Sequence, residues 1–113
     1  MAGNPIATFG TPTVIVDGAT QVIDCSSGSS MVWTLTATRT VSTFINPVQG
    51  QLLYLEIRQD ATGSRTLTWP SNVNWSGGTA PTLTTTASKR DKFAFQYNAN
   101  NTWDGWTVGL NYT

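Results

Sequence analysis

The stretch QLLYLEIRQDATGSRTLTW, residues 51–69, carries the clearest structural pattern in this chain of 113 residues. Leu53, Leu55 and Ile57 alternate with polar side chains before a turn, and after it leucine and tryptophan alternate with threonines. Period-two alternation on both sides of a Gly-containing turn predicts a β-hairpin with one buried face.

The rest of the chain extends this pattern to an all-β domain. Helix formers are scarce, no window has a 3.6-residue period, and threonine, which suits a pleated surface, is abundant. Turn signals divide residues 13–113 into about eight short strands, which predicts one antiparallel β-sandwich or jelly-roll-like domain. Residues 1–12 contain two glycines and two prolines and predict an extended N-terminal arm, with Ile6 and Phe9 as its partner-binding anchors.

Composition argues against several functions. Six basic and six acidic residues cancel, so we expect no nucleic-acid partner. The basic run at Lys89–Lys92 is interrupted by Asp91. We therefore interpret it as the solvent-exposed start of a strand and not as a phosphate-binding cluster. No apolar run is long enough to cross a membrane and no signal peptide is visible, which predicts a protein made in a cytoplasm.

The residues of common catalytic and metal sites are missing. The chain has no histidine, so it lacks the usual general base and the commonest metal ligand. Cys25 is the only cysteine and has no neighbouring base, which is typical of an inert buried thiol. We therefore predict no enzyme activity, no catalytic residues, no cofactor and no metal.

Five tryptophans offer the best candidates for a binding surface. Three fall on predicted inward faces and are expected to fill the core: Trp33, Trp69 and Trp106. Trp75 and Trp103 lie in predicted loops or turns beside Asn74 and Asn101. Because tryptophan stacks on sugars and also anchors protein interfaces, these four residues predict an interface or a glycan-binding site.

A longer run, LTATRTVSTFINPVQGQLLYLEIRQDATGSRTLTW at Leu35–Trp69, resembles a small β-domain of tailed-bacteriophage virion proteins. Its most distinctive part is RQDATG at Arg58–Gly63. A GGTAPTL loop at residues 77–83 and a closing hairpin at Phe93–Gly109 extend the similarity.

The resemblance implies a virion structural protein without catalytic residues. The leading interpretation is a capsid decoration, or cement, protein on the capsid surface, which binds across major capsid protein subunits and uses residues 1–12 as a clasp. The alternative is a tail-fibre, receptor-binding module that recognises a host surface glycan. By analogy with other phage β-modules, we expect a homo-oligomer, most simply a trimer.

Overall fold

The computed structural model describes residues 11–113, so the predicted arm, with Ile6 and Phe9, lies almost wholly outside the described residues. Within that range the chain is all-β, as the sequence predicts, and no helix is long and apolar enough to span a membrane. The strands are β1 Thr13–Val14, β2 Thr20–Asp24, β3 Ser30–Leu35, β4 Arg39–Ile45, β5 Leu52–Gln59, β6 Leu67–Thr68, β7 Val73–Trp75, β8 Arg90–Tyr97 and β9 Trp103–Tyr112. Two short 3-10 helices lie at Cys25–Ser27 and Ser76–Gly78.

The strands form two sheets, one of six strands in the order β1-β3-β5-β8-β9-β7 and one of three in the order β2-β4-β6. The first six strands alternate between the two sheets, and they form the parallel pairs β1–β3, β3–β5, β2–β4 and β4–β6. The chain thus winds repeatedly through both sheets, in the manner of a short β-solenoid. The long strands β8 and β9 then add an antiparallel pair to the larger sheet.

Two predictions about strand pairing are wrong. The sheets are mixed, and antiparallel pairing in the described part of the chain is confined to β5–β8 and β8–β9. The hairpin predicted at residues 51–69 does not form, because β5 is hydrogen-bonded on one side to β3 and on the other to β8. No edge of β5 is left for β6, which joins β4 in the other sheet. Alternation shows which face of a strand is buried but does not select its neighbour.

The two sheets pack face to face over one hydrophobic core. Phe44 of the smaller sheet lies with its ring centroid 5.3 Å from that of Phe95 and 5.0 Å from that of Trp103 in the larger sheet. Alternate residues of β3, β5 and β8 point inward, as the period-two pattern predicts. The most deeply buried large side chains are Trp33, Trp103, Phe93, Phe95, Ile23, Leu35, Leu53, Leu55, Ile57 and Val41.

A buried amide holds the connection between β5 and β6. Gln59 Nε2 donates to the carbonyls of Arg65, at 2.8 Å, and Thr84, at 2.9 Å, and Gln59 Oε1 accepts from Arg65 N at 3.0 Å. Thr84 N also donates to the buried carboxylate of Asp91 at 2.7 Å. These contacts hold residues 82–86, which sequence alternation predicts to be a strand, as a loop.

A half-buried polar cluster secures the corner between β1 and β2. Asp17 accepts hydrogen bonds from Trp33 Nε1 at 2.8 Å, from Thr36, and from Arg39 Nε and Nη2 at 3.0 and 2.8 Å. Burial by itself would raise the pKa of Asp17, but these hydrogen bonds and the charge of Arg39 hold it well below its usual range. Asp17 therefore stays ionised and links the β1–β2 connection to the β3–β4 connection.

Candidate functional site

The surface of the six-stranded sheet that faces away from the core, here called the outer face, carries the candidate site. Tyr54 of β5 and Trp106 of β9 flank Ala94 of β8 in register. Ala94 points away from the core yet is 0% exposed. Because Tyr54 and Trp106 are its direct neighbours across the strands, the burial of Ala94 indicates that these two large side chains lie over it.

At one end of the outer face, β7 and β9 form a groove of about 380 Å³. We call it the Trp75–Trp106 groove, and it is lined by Asn74, Trp75, Ser76, Asp104, Gly105 and Trp106. Asn74 pairs in register with Asp104, and Trp75 with Gly105. The amide and the carboxylate therefore lie side by side on the outer face, as does the Trp106 side chain.

The Trp75 ring is held firmly in place. Its centroid lies 5.2 Å from that of Trp69 and 5.5 Å from that of Phe95, both in edge-to-face geometry. A Cβ at Gly105 would lie only 3.0 Å from Trp75 Cζ3, so the absence of a side chain at this position allows the indole to lie against β9. The Trp75 ring therefore packs on the core side of the sheet, whereas Asn74, Asp104 and Trp106 point to the outer face.

The polar groups of the groove are available to a ligand. The side chains of Asn74, Asp104 and Trp106 make no hydrogen bond or ion pair with another residue in the 11–113 range. An aromatic face next to a free amide, a free carboxylate and an indole N–H can stack on a sugar ring and bond its hydroxyls.

A second groove, of about 330 Å³, continues along the outer face beside Tyr54. Val32, Glu56 and Lys92 are among the residues that line it. Burial alone would raise the pKa of Glu56, but the hydrogen bond from Arg58 and the charges of nearby cations lower it below its ordinary value. Glu56 is therefore an ionised partner of the surrounding bases.

The structure separates the four residues predicted from sequence as a binding surface. Asn74 and Trp75 line the Trp75–Trp106 groove. Asn101 is exposed in the β8–β9 turn, where its N–H donates to Tyr97 Oη and its carbonyl accepts from Asn72. Trp103 is 0% exposed, so the expectation that it faces a partner is wrong.

Sequence reasoning missed Trp106, which was assigned to the core. Trp103 and Trp106 are three residues apart, so a regular strand places them on opposite faces. The structure points Trp103 and Gly105 inward and leaves Trp106 part-exposed on the outer face. The odd-numbered separation of the two tryptophans could have indicated that one of them faces outward. Only the packing of β9 decided which of the two is buried.

Other chemistry finds little support in the described residues. No group of three or more acidic, cysteine or histidine side chains within residues 11–113 is placed to hold a metal ion. Burial, with a smaller contribution from Asp24, raises the pKa of Cys25 to about 11. The thiol is therefore protonated at neutral pH and is a poor nucleophile.

A family model described as "Putative phage tail fibre C-terminal domain" matches residues 10–91. The matched range contains Asn74 and Trp75 and ends near the start of β8. No curated protein and no solved structure matches the chain.

Proposed function

Because the chain belongs to this phage tail fibre C-terminal domain family and so is a phage virion structural protein, we propose that it is a tail-fibre module that binds a glycan on the host surface. The family description favours the tail over the head. The capsid decoration interpretation, with the major capsid protein as partner and the capsid surface as location, is the weaker alternative.

The observation that carries the proposal is the Trp75–Trp106 groove. The apolar C–H face of a sugar ring packs well on an indole, and Asn74 and Asp104 supply a donor and acceptors for its hydroxyls. Pre-formed concave sites with a few convergent polar groups are typical of ligand binding.

We expect binding without turnover. Glycoside hydrolysis normally uses two carboxyl groups about 5–9.5 Å apart on either side of the scissile bond. Among the residues that line the groove, Asp104 contributes the only carboxylate. A bound glycan should therefore be released unchanged.

The test is an array of purified bacterial surface polysaccharides, followed by tryptophan-fluorescence titration with the members that bind. Trp106→Ala should weaken binding at least about tenfold, as expected for loss of a central aromatic contact. Leu110→Ala is the matched control, since Leu110 is an exposed apolar residue of β9 that does not line the groove. Unchanged binding by Trp106→Ala, or no saturable binding to any member, would overturn the proposal.

The decoration alternative can be separated by copy number. Quantitative mass spectrometry of virions should find a few to a few dozen copies for a tail protein and hundreds for a head decoration protein. Deletion of residues 1–12 should abolish capsid binding only if the decoration interpretation holds. The homotrimer stays a prediction, to be tested by light scattering of the purified protein.

A further inference from the structure

The outer face gathers basic side chains at the end opposite the β8–β9 turn. Arg58 of β5 pairs in register with Arg90 of β8, and Lys92 lies two residues further along β8. We call Arg58, Arg90 and Lys92 the basic corner. The sequence run at Lys89–Lys92 contains two of them, and the fold adds Arg58 from a distant part of the chain.

The basic corner has more positive charge than its acidic partner neutralises. All three cations lie near one carboxylate, Glu56, at nitrogen–oxygen distances of up to 3.8 Å. The Glu56 side chain is only 11% exposed, whereas those of Arg58 and Lys92 are 46% and 44% exposed. Three cations against one carboxylate leave two positive side-chain charges at the surface.

Asp91 forms no ion pair with these cations, although it stands between Arg90 and Lys92 in sequence. It points to the opposite side of β8, is 1% exposed, and accepts hydrogen bonds from the backbone N–H groups of Thr84 and Asn111. The remaining arginines of the chain, Arg39 and Arg65, are paired elsewhere with one aspartate each. The positive excess is therefore local to the outer face.

Arg58 retains hydrogen-bond donors for a ligand, whereas Arg90 donates from Nη1 to Glu56 and from Nη2 to the carbonyl of Thr113. Arg58 uses Nε for Glu56, and its two terminal nitrogens bond no other described residue. Arg90 and Lys92 lie over the ring of Tyr112, at 5.6 and 5.3 Å from its centroid. Planar guanidinium groups bind carboxylate, phosphate and sulfate groups through paired hydrogen bonds.

The basic corner and the Trp75–Trp106 groove belong to one continuous surface. Trp106 is opposite Ala94, and Arg90 lies four residues from Ala94 along β8, a distance of about 14 Å at strand rise. The groove beside Tyr54 reaches the basic corner, since Lys92 lines it. An oligosaccharide stacked on Trp106 can therefore extend to the cations.

We propose that the glycan bound at this face is acidic, with its carboxylate, phosphate or sulfate groups held by Arg58, Arg90 and Lys92. This inference rests on the proposed glycan-binding function and specifies the class of ligand. The tryptophan groove binds the neutral part of the chain, and the basic corner selects for negative charge. The net charge of zero for the whole protein conceals this selectivity.

The experiment compares acidic and neutral members of the same polysaccharide array. Wild-type protein should bind acidic members, and carboxyl reduction or removal of phosphate or sulfate from a bound member should weaken binding. The double variant Arg58→Gln/Lys92→Gln should bind the acidic member roughly five- to tenfold more weakly. Raising the salt concentration should weaken wild-type binding more than binding by this variant.

The double variant Gln49→Glu/Asn100→Asp is the matched control, because it lowers the net charge of the protein by the same amount as Arg58→Gln/Lys92→Gln. Both residues are exposed near the opposite end of the strands, where Gly50 N bonds Tyr97 O, and neither lines the grooves on the outer face. This variant should retain binding, and circular dichroism checks that both variants fold. Preference for neutral members, or equal loss in both double variants, overturns the acidic-glycan inference and leaves glycan binding standing. Absence of all binding overturns the proposed function and this inference with it.

Discussion

Gly105→Ala should damage both the fold and the Trp75–Trp106 groove. Gly105 is buried in β9, opposite Trp75 of β7. A Cβ there would lie 2.9 Å from Val73 Cγ1 and 3.0 and 3.1 Å from two ring atoms of Trp75. The Trp75 ring cannot retreat freely, because Trp69 and Phe95 pack against it. The added methyl group should therefore push β7 away from β9.

The magnitude follows from the cost of overpacking, which is about 1–3 kcal/mol for an added methyl group in a packed core. Unfolding entropy of about 2.1 cal/mol/K per residue over 113 residues amounts to about 0.24 kcal/mol/K. Each kcal/mol thus lowers the Tm by about 4 °C, and the variant should melt about 4–13 °C below the wild type. Differential scanning calorimetry measures this shift, and fluorescence titration measures the accompanying loss of glycan affinity.

Gly18→Ala is the matched control. A Cβ at Gly18 has Gln21 Oε1 at 3.5 Å as its nearest neighbour, which is ordinary contact. The free energy of unfolding of this variant should change by less than about 1 kcal/mol, because alanine also restricts the unfolded chain. If Gly105→Ala melts with the wild type or with Gly18→Ala, the close packing of Trp75 on β9 does not matter for stability and the reasoning fails.

Two further predictions concern polar contacts that stabilise the fold. Gln59→Leu should lower the free energy of unfolding by about 2–3 kcal/mol in urea titration, because it leaves backbone groups of Arg65 and Thr84 without partners; a loss below about 0.5 kcal/mol would contradict this role. The folded-state pKa values of Asp17 and Glu56 are lowered, so these carboxylates stabilise the fold above about pH 4 and lose that contribution as the pH falls through the folded values. Melting curves from pH 7 to pH 2.5 should show a falling Tm, with a smaller fall in Asp17→Asn, and a constant Tm would be evidence against this linkage.

Local periodicity predicted burial better than it predicted pairing. The inward positions of Leu53, Leu55 and Ile57 agree with the alternation, since a strand with one buried face must present apolar side chains at every second residue. The same pattern predicted a hairpin that does not form, because hydrogen-bonding partners are chosen by contacts between distant segments. The closing hairpin of β8 and β9 was predicted with the correct pairing, but the face of β9 that carries Trp106 was wrongly assigned to the core.

The amino-acid sequence by itself determined the all-β class, the apolar alternation within the strands and the resemblance to phage virion proteins. These properties depend on residue types and on spacings within short segments. Tertiary structure alone decided that β5 lies between β3 and β8, that Trp103 is buried and Trp106 is not, and that Arg58 joins the bases of β8. The reason is physical: a strand has two faces and two edges, and its own sequence indicates which face is apolar but not which segment will occupy each edge.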